Sequence, residues 1–434
     1  MSTMLVVLVC ALILVVVANH TLATLFMRGI ARQELDEARD DYEPTVTIIT
    51  PMFNEGAGIR ATIASLVAQR YPRKKLNILI VDDCSTDDSF EHAKDEARRH
   101  PHVTVLRNEL NMGKRRSINR AVRHTDAEII VSIDSDVVVD PEAVRQLVRR
   151  FVTDDIAAVG GRVDIRNKAD NWLTRMQTIK YFFGWEVVKT LERAHRSVFC
   201  LSGCLTAYRR SVLVELESIL EQRNMLNVPI KYGEDRFLTR QILKAGYQTT
   251  LTMDAVCRTE APTEILPYIA QQLRWRRSNL MDYFGGLAHV WRMHPVVAIH
   301  FFSLFALLFA YPALLIQSIA HGWFWPLMAV HVGGAGVAGM IYRWFNRARP
   351  AHDRVSTLSF LPIAFIIPIT YAVLPPLALL TLDSGSWETR GHDASETVDA
   401  VTPTPALPLR GGGSIQTPAL PLARRGRTPG AHAA

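Results

Sequence analysis

Three stretches of the chain carry no Asp, Glu, Lys or Arg: Met1–Met27, Met293–Tyr342 and Val355–Leu382. A hydrocarbon core about 30 Å thick is crossed by roughly 20 apolar residues in a helix, so each stretch has membrane length. Residues 1–27 read as one transmembrane helix, and 293–342 as two helices joined by a hairpin near Gln317–Gly322. Residues 355–382 contain Pro362, Pro368, Pro375 and Pro376, which predicts a kinked or broken re-entrant, interfacial or transmembrane segment rather than a straight span. Between the first two blocks the pattern changes. Short β-rich runs at 45–50, 76–81, 103–107 and 128–134 alternate with helical stretches near 58–70, 87–99, 113–124 and 141–152. This alternation predicts an α/β domain over 44–262, a doubly wound and mostly parallel sheet covered on both faces and inserted between transmembrane helices. In such sheets the ligand lies beyond the carboxyl ends of the strands. Residues 263–292 read as amphipathic interfacial helices. The tail 391–434 is rich in Pro, Gly and Thr and repeats Thr-Pro-Ala-Leu-Pro-Leu at 404–409 and 417–422. It is expected to be disordered, with no assigned function.

Charge sets the orientation. The first block lacks a basic residue ahead of its apolar run and is followed by Arg28 and Arg32, which favours an uncleaved anchor over a cleaved signal peptide. Arg343, Arg347, Arg349 and Arg354 follow the second block. By the positive-inside rule both basic clusters face the cytoplasm, with the 44–262 domain between them. A multi-pass protein of the inner membrane with a cytoplasmic catalytic domain is therefore expected, with membrane lipid as a partner. At 434 residues, 48% hydrophobic and 21% charged in this distribution, the chain is not a wholly soluble enzyme. Five scattered cysteines give no disulfide framework, and the Cys200–Cys204 pair lacks a second pair at zinc spacing. The formal charge of +7 suits anionic lipid or a phosphate-bearing substrate. No nucleic-acid-binding motif accompanies it, so no nucleic-acid partner is expected.

Candidate chemistry gathers at the strand ends. Asp82 and Asp83 close the second strand run, and Asp134 and Asp136 the fourth. Asp-x-Asp offers hard oxygens to a divalent cation that shares substrate phosphates, although Asp also ends strands without any ligand. Asn111-Met-Gly-Lys-Arg-Arg116 precedes a helix. It reads either as a diphosphate cradle at a helix start or as a solvated basic turn. Glu234 and Asp235 open another helical run, as first-turn acids on the dipole or as a general base. Gln271-Gln-Leu-Arg-Trp-Arg-Arg277 precedes the membrane block and fits an interfacial helix by itself.

As a set, these residues resemble the processive, membrane-embedded family-2 glycosyltransferases, specifically hyaluronan synthases and the rhizobial NodC-type chitooligosaccharide synthases. The resemblance runs from about Thr45 to Arg390 through Thr50-Pro-Met-Phe-Asn-Glu55, Asp82-Asp83, Gly113-Lys-Arg115, Asp134-Ser-Asp136, Ser202-Gly203, Gly233-Glu-Asp-Arg236 and Gln271-x-x-Arg-Trp275. It implies a GT-A-like domain with roles for each motif. Pro51, Glu55, Asp83, Lys114 and Asp134 would hold the UDP-sugar, and Asp134 with Asp136 the Mg²⁺ or Mn²⁺. Asp235, beside Glu234, would deprotonate the acceptor hydroxyl. Ser202, Gly203, Gln271 and Trp275 would line the acceptor site, with Arg274 near the leaving diphosphate. Trp387 and Arg390 resemble the element at 383–390 that closes over the nucleotide. The sequence departs from the family pattern at Cys204, where relatives usually have Pro, at Glu388, and in having one N-terminal crossing. The resemblance implies an inverting polymerase of UDP-sugars that exports its growing polysaccharide, hyaluronan-like from UDP-GlcNAc and UDP-GlcA. The alternatives are a chitooligosaccharide synthase using UDP-GlcNAc alone and a non-processive lipid glycosyltransferase.

Overall fold

A computed structural model describes residues 37–221, 224–225, 228–230, 232–350 and 354–382. The first apolar block, the tail, and Trp387 and Arg390 lie outside the described residues.

Seven consecutive apolar or small residues, Val46–Met52, form strand β1, and all seven are buried. A strand this uniformly apolar belongs at the centre of a sheet covered on both faces. β2 (Leu76–Asp82) pairs with it in parallel from Val46↔Leu76 to Met52↔Asp82, and β4 (Ile129–Ser132) lies parallel on its other side. β3 (Val103–Arg107) extends the parallel set beyond β2. Side chains alternate between two layers. Ile48, Ile78, Ile80 and Val131 pack to one face with α1 (Ile59–Val67) and α4 (Ala143–Val148). Ile49, Leu79, Val81 and Ile130 pack to the other with α3 (Lys114–Arg123) and α7 (Arg210–Glu221). α2 (Ser89–Arg99) completes this half.

The second half of the sheet is mixed. Among the described residues one eight-stranded sheet has the order β3-β2-β1-β4-β7-β6-β10-β5, including β5 (Val138–Val139), β6 (Ile156–Ile165), β7 (Thr206–Arg209) and β10 (Gln248–Thr259). β7 runs antiparallel to both β4 and β6, and β5 antiparallel to β10, while β6 and β10 are parallel. The parallel pairing expected from the sequence thus holds for the first four strands and for β6 with β10, within a sheet that is mixed as a whole. The periodicity read there carried no information about β7, a four-residue strand between a loop and a helix. β8 (Asn224–Met225) and β9 (Val228–Pro229) make a separate small ribbon.

Between β6 and β7 the chain builds a long helix that no periodic pattern foretells. α5 (Trp172–Phe183) starts on an Asn171 capping box, passes through a π-turn at Gly184–Val188, and continues as α6 (Lys189–Ala194). After β7 and α7 comes α8 (Glu234–Lys244), and after β10 comes α9 (Ile265–Gly286). α10 (Pro295–Ala320) and α11 (Phe324–Phe345) form a hairpin whose helices are long and apolar enough to cross a bilayer. At 26 residues, α10 is about 39 Å long. α12 (Leu361–Leu380) holds Pro368, Pro375 and Pro376 internally, and the arms Leu358–Ile366 and Pro368–Leu380 meet at 40°. Each internal Pro removes an N–H and clashes with the preceding turn, which accounts for a bend there.

Both ends of this bent segment touch elements outside the apolar hairpin. Phe360 packs with Ile179 of α5. At the far end Tyr232 Oη donates to the Leu382 carbonyl (2.8 Å), and Arg277 Nε to Thr381 Oγ1 (3.0 Å).

Candidate functional site

The strand order reverses between β1 and β4, with β2 and β3 on one side and β7 on the other. The ends of β1, β2 and β4 therefore open onto one crevice, where an α/β sheet binds its ligand. Asn54 (φ 51°) and Cys84 (φ 65°) both take left-handed backbone just beyond β1 and β2. Non-glycine residues hold that conformation only where surrounding contacts fix it. The Asn54 amide donates to Ser85 Oγ (3.0 Å), and the Thr86 amide to Asn54 Oδ1 (2.8 Å).

Asp134 and Asp136 lie half-buried directly after β4. Between them Ser135 Oγ donates to Glu55 Oε1 (2.8 Å), which ties the β1 loop to the β4 turn. Pro51 is buried in β1 opposite Val81 of β2. The pairing with β4 has already stopped at Ile49, so its missing N–H leaves no ladder bond unmade.

Lys114 opens α3 and enters this crevice. Its Nζ lies 2.5 Å from Asp134 Oδ1 and 3.0 Å from Glu234 Oε1. The ammonium joins the β4 turn to the first turn of α8, a link that sequence spacing did not reveal. Glu234 and Asp235 part company electrostatically. Burial pushes Glu234 up, but Lys114 and Arg274 outweigh it and hold this carboxylate low. Burial raises Asp235, and the adjacent Glu234 charge raises it further. Neighbouring acids separated in this way provide one permanent anion and one group with affinity for a proton. Asp235 Oδ2 accepts from the Gly203 amide (3.3 Å) and Oδ1 from the Arg236 amide (2.8 Å).

Two glycines permit this crowding. A Cβ at Gly203 would lie 2.7 Å from Lys114 Nζ, so the Ser202–Gly203 loop passes directly over the ammonium. Gly233, the N-cap of α8, has φ +66°, and a Cβ there would meet Ser278 Oγ at 2.0 Å. α8 therefore sits tightly on α9. Arg240 Nε with Asp282 Oδ1 (2.9 Å) reinforces the contact.

Asp83 is tied into the loop that carries Lys114. It is 4% exposed. Oδ1 accepts from Asn108 Nδ2 (2.7 Å), the Met112 amide (2.9 Å) and Ser117 Oγ (3.1 Å), and Oδ2 from the Gly113 amide (2.7 Å). Its carboxylate folds the Asn108–Ser117 loop and so delivers Lys114. Asp82, wholly buried, accepts from Ser85 Oγ (2.5 Å) and pairs with Arg107 Nε (3.2 Å). The aspartates of the second strand are thus bound up in their own loops, whereas Asp134, after the fourth strand, meets Lys114 and Asp136 lies half-buried beside it.

On the opposite wall, α9 carries Gln271, Arg274 and Trp275. Gln271 Oε1 accepts from Gln272 Nε2 (3.4 Å), and Arg274 is close enough to lower Glu234. The Trp275 indole is 37% exposed, with Tyr181 of α5 6.2 Å away and tilted by 54°. Tyr181, Trp185 and Lys180 were absent from the sequence expectations, although Tyr181-Phe-Phe-Gly-Trp185 is a dense aromatic run. Cys204 follows the Ser202–Gly203 loop. Burial, with Asp134 and Asp136 nearby, pushes its thiol well above the usual range.

Residues 47–216 match the family described as Glycosyl transferase family 2. A curated N-acetylglucosaminyltransferase of Azorhizobium caulinodans is 35% identical over 241 residues, covering 55% of this chain and 60% of that protein. One of Neorhizobium galegae is 30% identical over 356 residues, 80% of this chain and 80% of that protein. The chain thus spans about three fifths of the length of some curated relatives and four fifths of others. Among solved structures, a mannosyltransferase from Pyrobaculum calidifontis in complex with GDP-Man and Mn²⁺ shares the fold. Its TM-score is 0.53 at 22% identity, covering 83% of this chain and 99% of that one.

Proposed function

The chain belongs to glycosyl transferase family 2, and from that premise we propose that it transfers N-acetylglucosamine from UDP-GlcNAc to a growing β-linked chitooligosaccharide at a membrane. The relatives' shared name favours this donor over the UDP-GlcNAc and UDP-GlcA pair of a hyaluronan synthase, so the hyaluronan expectation gives way. The observation that carries the reading is the Lys114–Asp134–Glu234 cluster with Asp235 beside it against the Gly203 amide.

In the proposed reaction the acceptor hydroxyl attacks the anomeric carbon of the donor sugar, its proton passes to Asp235, and the bond to UDP breaks. Asp235 suits the role because burial and Glu234 raise its proton affinity. Glu234 remains ionised and holds Lys114 at the crevice. Lys114 and Arg274 provide positive charge where the departing diphosphate develops its own. Asp134 and Asp136 would hold Mg²⁺ or Mn²⁺. Among the described residues no cluster of three His, Cys, Asp or Glu forms. Two carboxylates completed by substrate phosphates are a common way of holding Mg²⁺, so the donor set fits. The ion would neutralise the diphosphate.

Trp275, Gln271 and the Ser202–Gly203 loop would bind the acceptor sugar. The bonds from Tyr232 and Arg277 to the end of the bent segment support its return to the catalytic side, which would bring Trp387 and Arg390 toward the nucleotide. The hairpin of α10 and α11, with the first apolar block, would anchor the enzyme in the inner membrane with its catalytic domain in the cytoplasm.

The test is UDP release by the full chain in detergent with Mn²⁺. Release with UDP-GlcNAc alone, giving chitinase-sensitive product, is expected. Product that requires both UDP-GlcNAc and UDP-GlcA would restore the hyaluronan reading, and no release with any donor would overturn transfer altogether.

A further inference from the structure

We infer that Tyr181 is an acceptor-binding residue. Its ring, with the exposed Trp275 indole, forms an angled aromatic clip for the terminal sugar, and its hydroxyl hydrogen-bonds that sugar. This deepens the proposed function and rests on its placing the acceptor at Trp275.

The ring is held from behind with unusual thoroughness. Tyr181 stacks on Trp185 with centroids 5.5 Å apart and planes 11° from parallel. Trp185 is fixed in turn: its Nε1 donates to the Gly161 carbonyl of β6 (2.9 Å), and Lys189 Nζ caps its ring at 4.1 Å. A column therefore runs from Lys189 through Trp185 to Tyr181 and ends at Trp275. The π-turn Gly184–Val188 lies within it, with the Lys189 amide reaching back five residues to the Gly184 carbonyl. π-turns inside helices cost stability and recur at functional sites. This one widens the helix between the residue that holds the column to the sheet and the cation that caps it.

The front of the ring faces chemistry. Tyr181 is close enough to Asp136, Cys204 and Arg274 to feel their charges. These three residues come from the proposed donor-side turn, the acceptor-side loop and α9. A phenol is protonated at neutral pH, so it has a proton to donate. Buried tyrosine hydroxyls ordinarily find a partner. Those of Tyr71, Tyr232 and Tyr311 do so, with Pro44, Leu382 and His331 respectively, and the half-exposed Tyr247 bonds to Glu215. The Tyr181 hydroxyl has no such partner among the described residues. A rigid ring with an uncommitted hydroxyl, beside a second aromatic face, matches what a pyranose presents: an apolar face rimmed with hydroxyls.

The test is equilibrium binding of chitotetraose to the full chain in detergent, followed by quenching of indole fluorescence. Tyr181→Phe keeps the ring and removes only the hydroxyl, and it should raise Kd about three- to tenfold, the worth of one neutral hydrogen bond. Trp185→Ala should weaken binding at least as much by releasing the ring, and Trp185→Phe should recover most of the loss. Tyr247→Phe, on the distant Glu215 contact, should bind as the parent does. Thermal midpoints would identify a variant that has merely unfolded, in which case Tyr181→Phe alone decides. Unchanged affinity in Tyr181→Phe, or no chitotetraose binding by the parent chain, overturns the inference. Failure of the proposed function would appear separately, as absence of UDP release.

Discussion

At the residue scale, the site is organised by how charge is divided between two adjacent acids. Glu234 is held low by Lys114 and Arg274 while Asp235 is raised by burial and by Glu234. A base must be ionised to act, so kcat/KM should fall as pH drops through the raised Asp235 value, on a limb above that of an ordinary aspartate. Glu234→Gln removes the second-largest cause of that elevation, and the acid limb should move to lower pH. A pH–rate profile measures the shift, and a limb that stays or rises would reject the assignment of Asp235. Asp235→Asn should abolish transfer while UDP binding persists, as read by calorimetry. Gly233 offers a steric counterpart. Gly233→Ala forces a side chain into φ +66° and against Ser278, at a cost of about 1–3 kcal/mol, visible as a lower thermal midpoint together with lost activity. The sequence made the acids legible as helix openers but not their division. That division depends on Lys114, more than a hundred residues earlier in the chain, and on burial, neither of which spacing encodes.

At the element scale, legibility followed periodicity. The first four strand runs and their intervening helices alternate cleanly, and the α/β fold could be read from them, while its GT-A-like character rested on the resemblance. β7 could not, because four residues between the Ser202–Gly203 loop and α7 are too few to show a period. The α5–α6 helix was missed for another reason. Its aromatic residues face both the sheet and the membrane-side elements, so no single apolar stripe marks it. The bent α12 segment was read from its prolines, but the side on which it ends was open in the sequence and rests on two side-chain bonds. Tyr232→Phe removes one of them, worth about 0.5–1.5 kcal/mol, and should loosen the end of α12. Amide exchange at residues 377–382 should accelerate several-fold, with α10 unchanged as an internal reference. Equal protection in parent and variant would mean that the Arg277 contact alone fixes this end.

At the scale of the whole molecule, the two membrane-length helices and the bent segment raise a question of sidedness that their apolarity cannot answer. Charge and hydrogen bonding answer it together. The tip of the α10–α11 hairpin, His321–Trp323, carries no charged residue, whereas α11 runs into Arg343, Arg347 and Arg349. By the positive-inside rule, positive charge at one end of the hairpin and none at the other predicts the tip outside and Arg349 inside. The bent segment leaves from the Arg354 side, and its far end bonds to Tyr232, beside Glu234 and Asp235. A single crossing would end on the outer face, so this bond predicts that the segment ends on the side of the α/β domain; the 40° kink between its arms is not itself a reversal. Single cysteines at His321, Arg349 and Thr381, read against the parent chain in intact cells and in inverted vesicles, test this directly. A membrane-impermeant maleimide should reach His321→Cys only from outside, and Arg349→Cys and Thr381→Cys only from inside. Labelling of Thr381→Cys from outside would make the segment a full crossing, and the chain beyond it would then be unable to close over a cytoplasmic nucleotide.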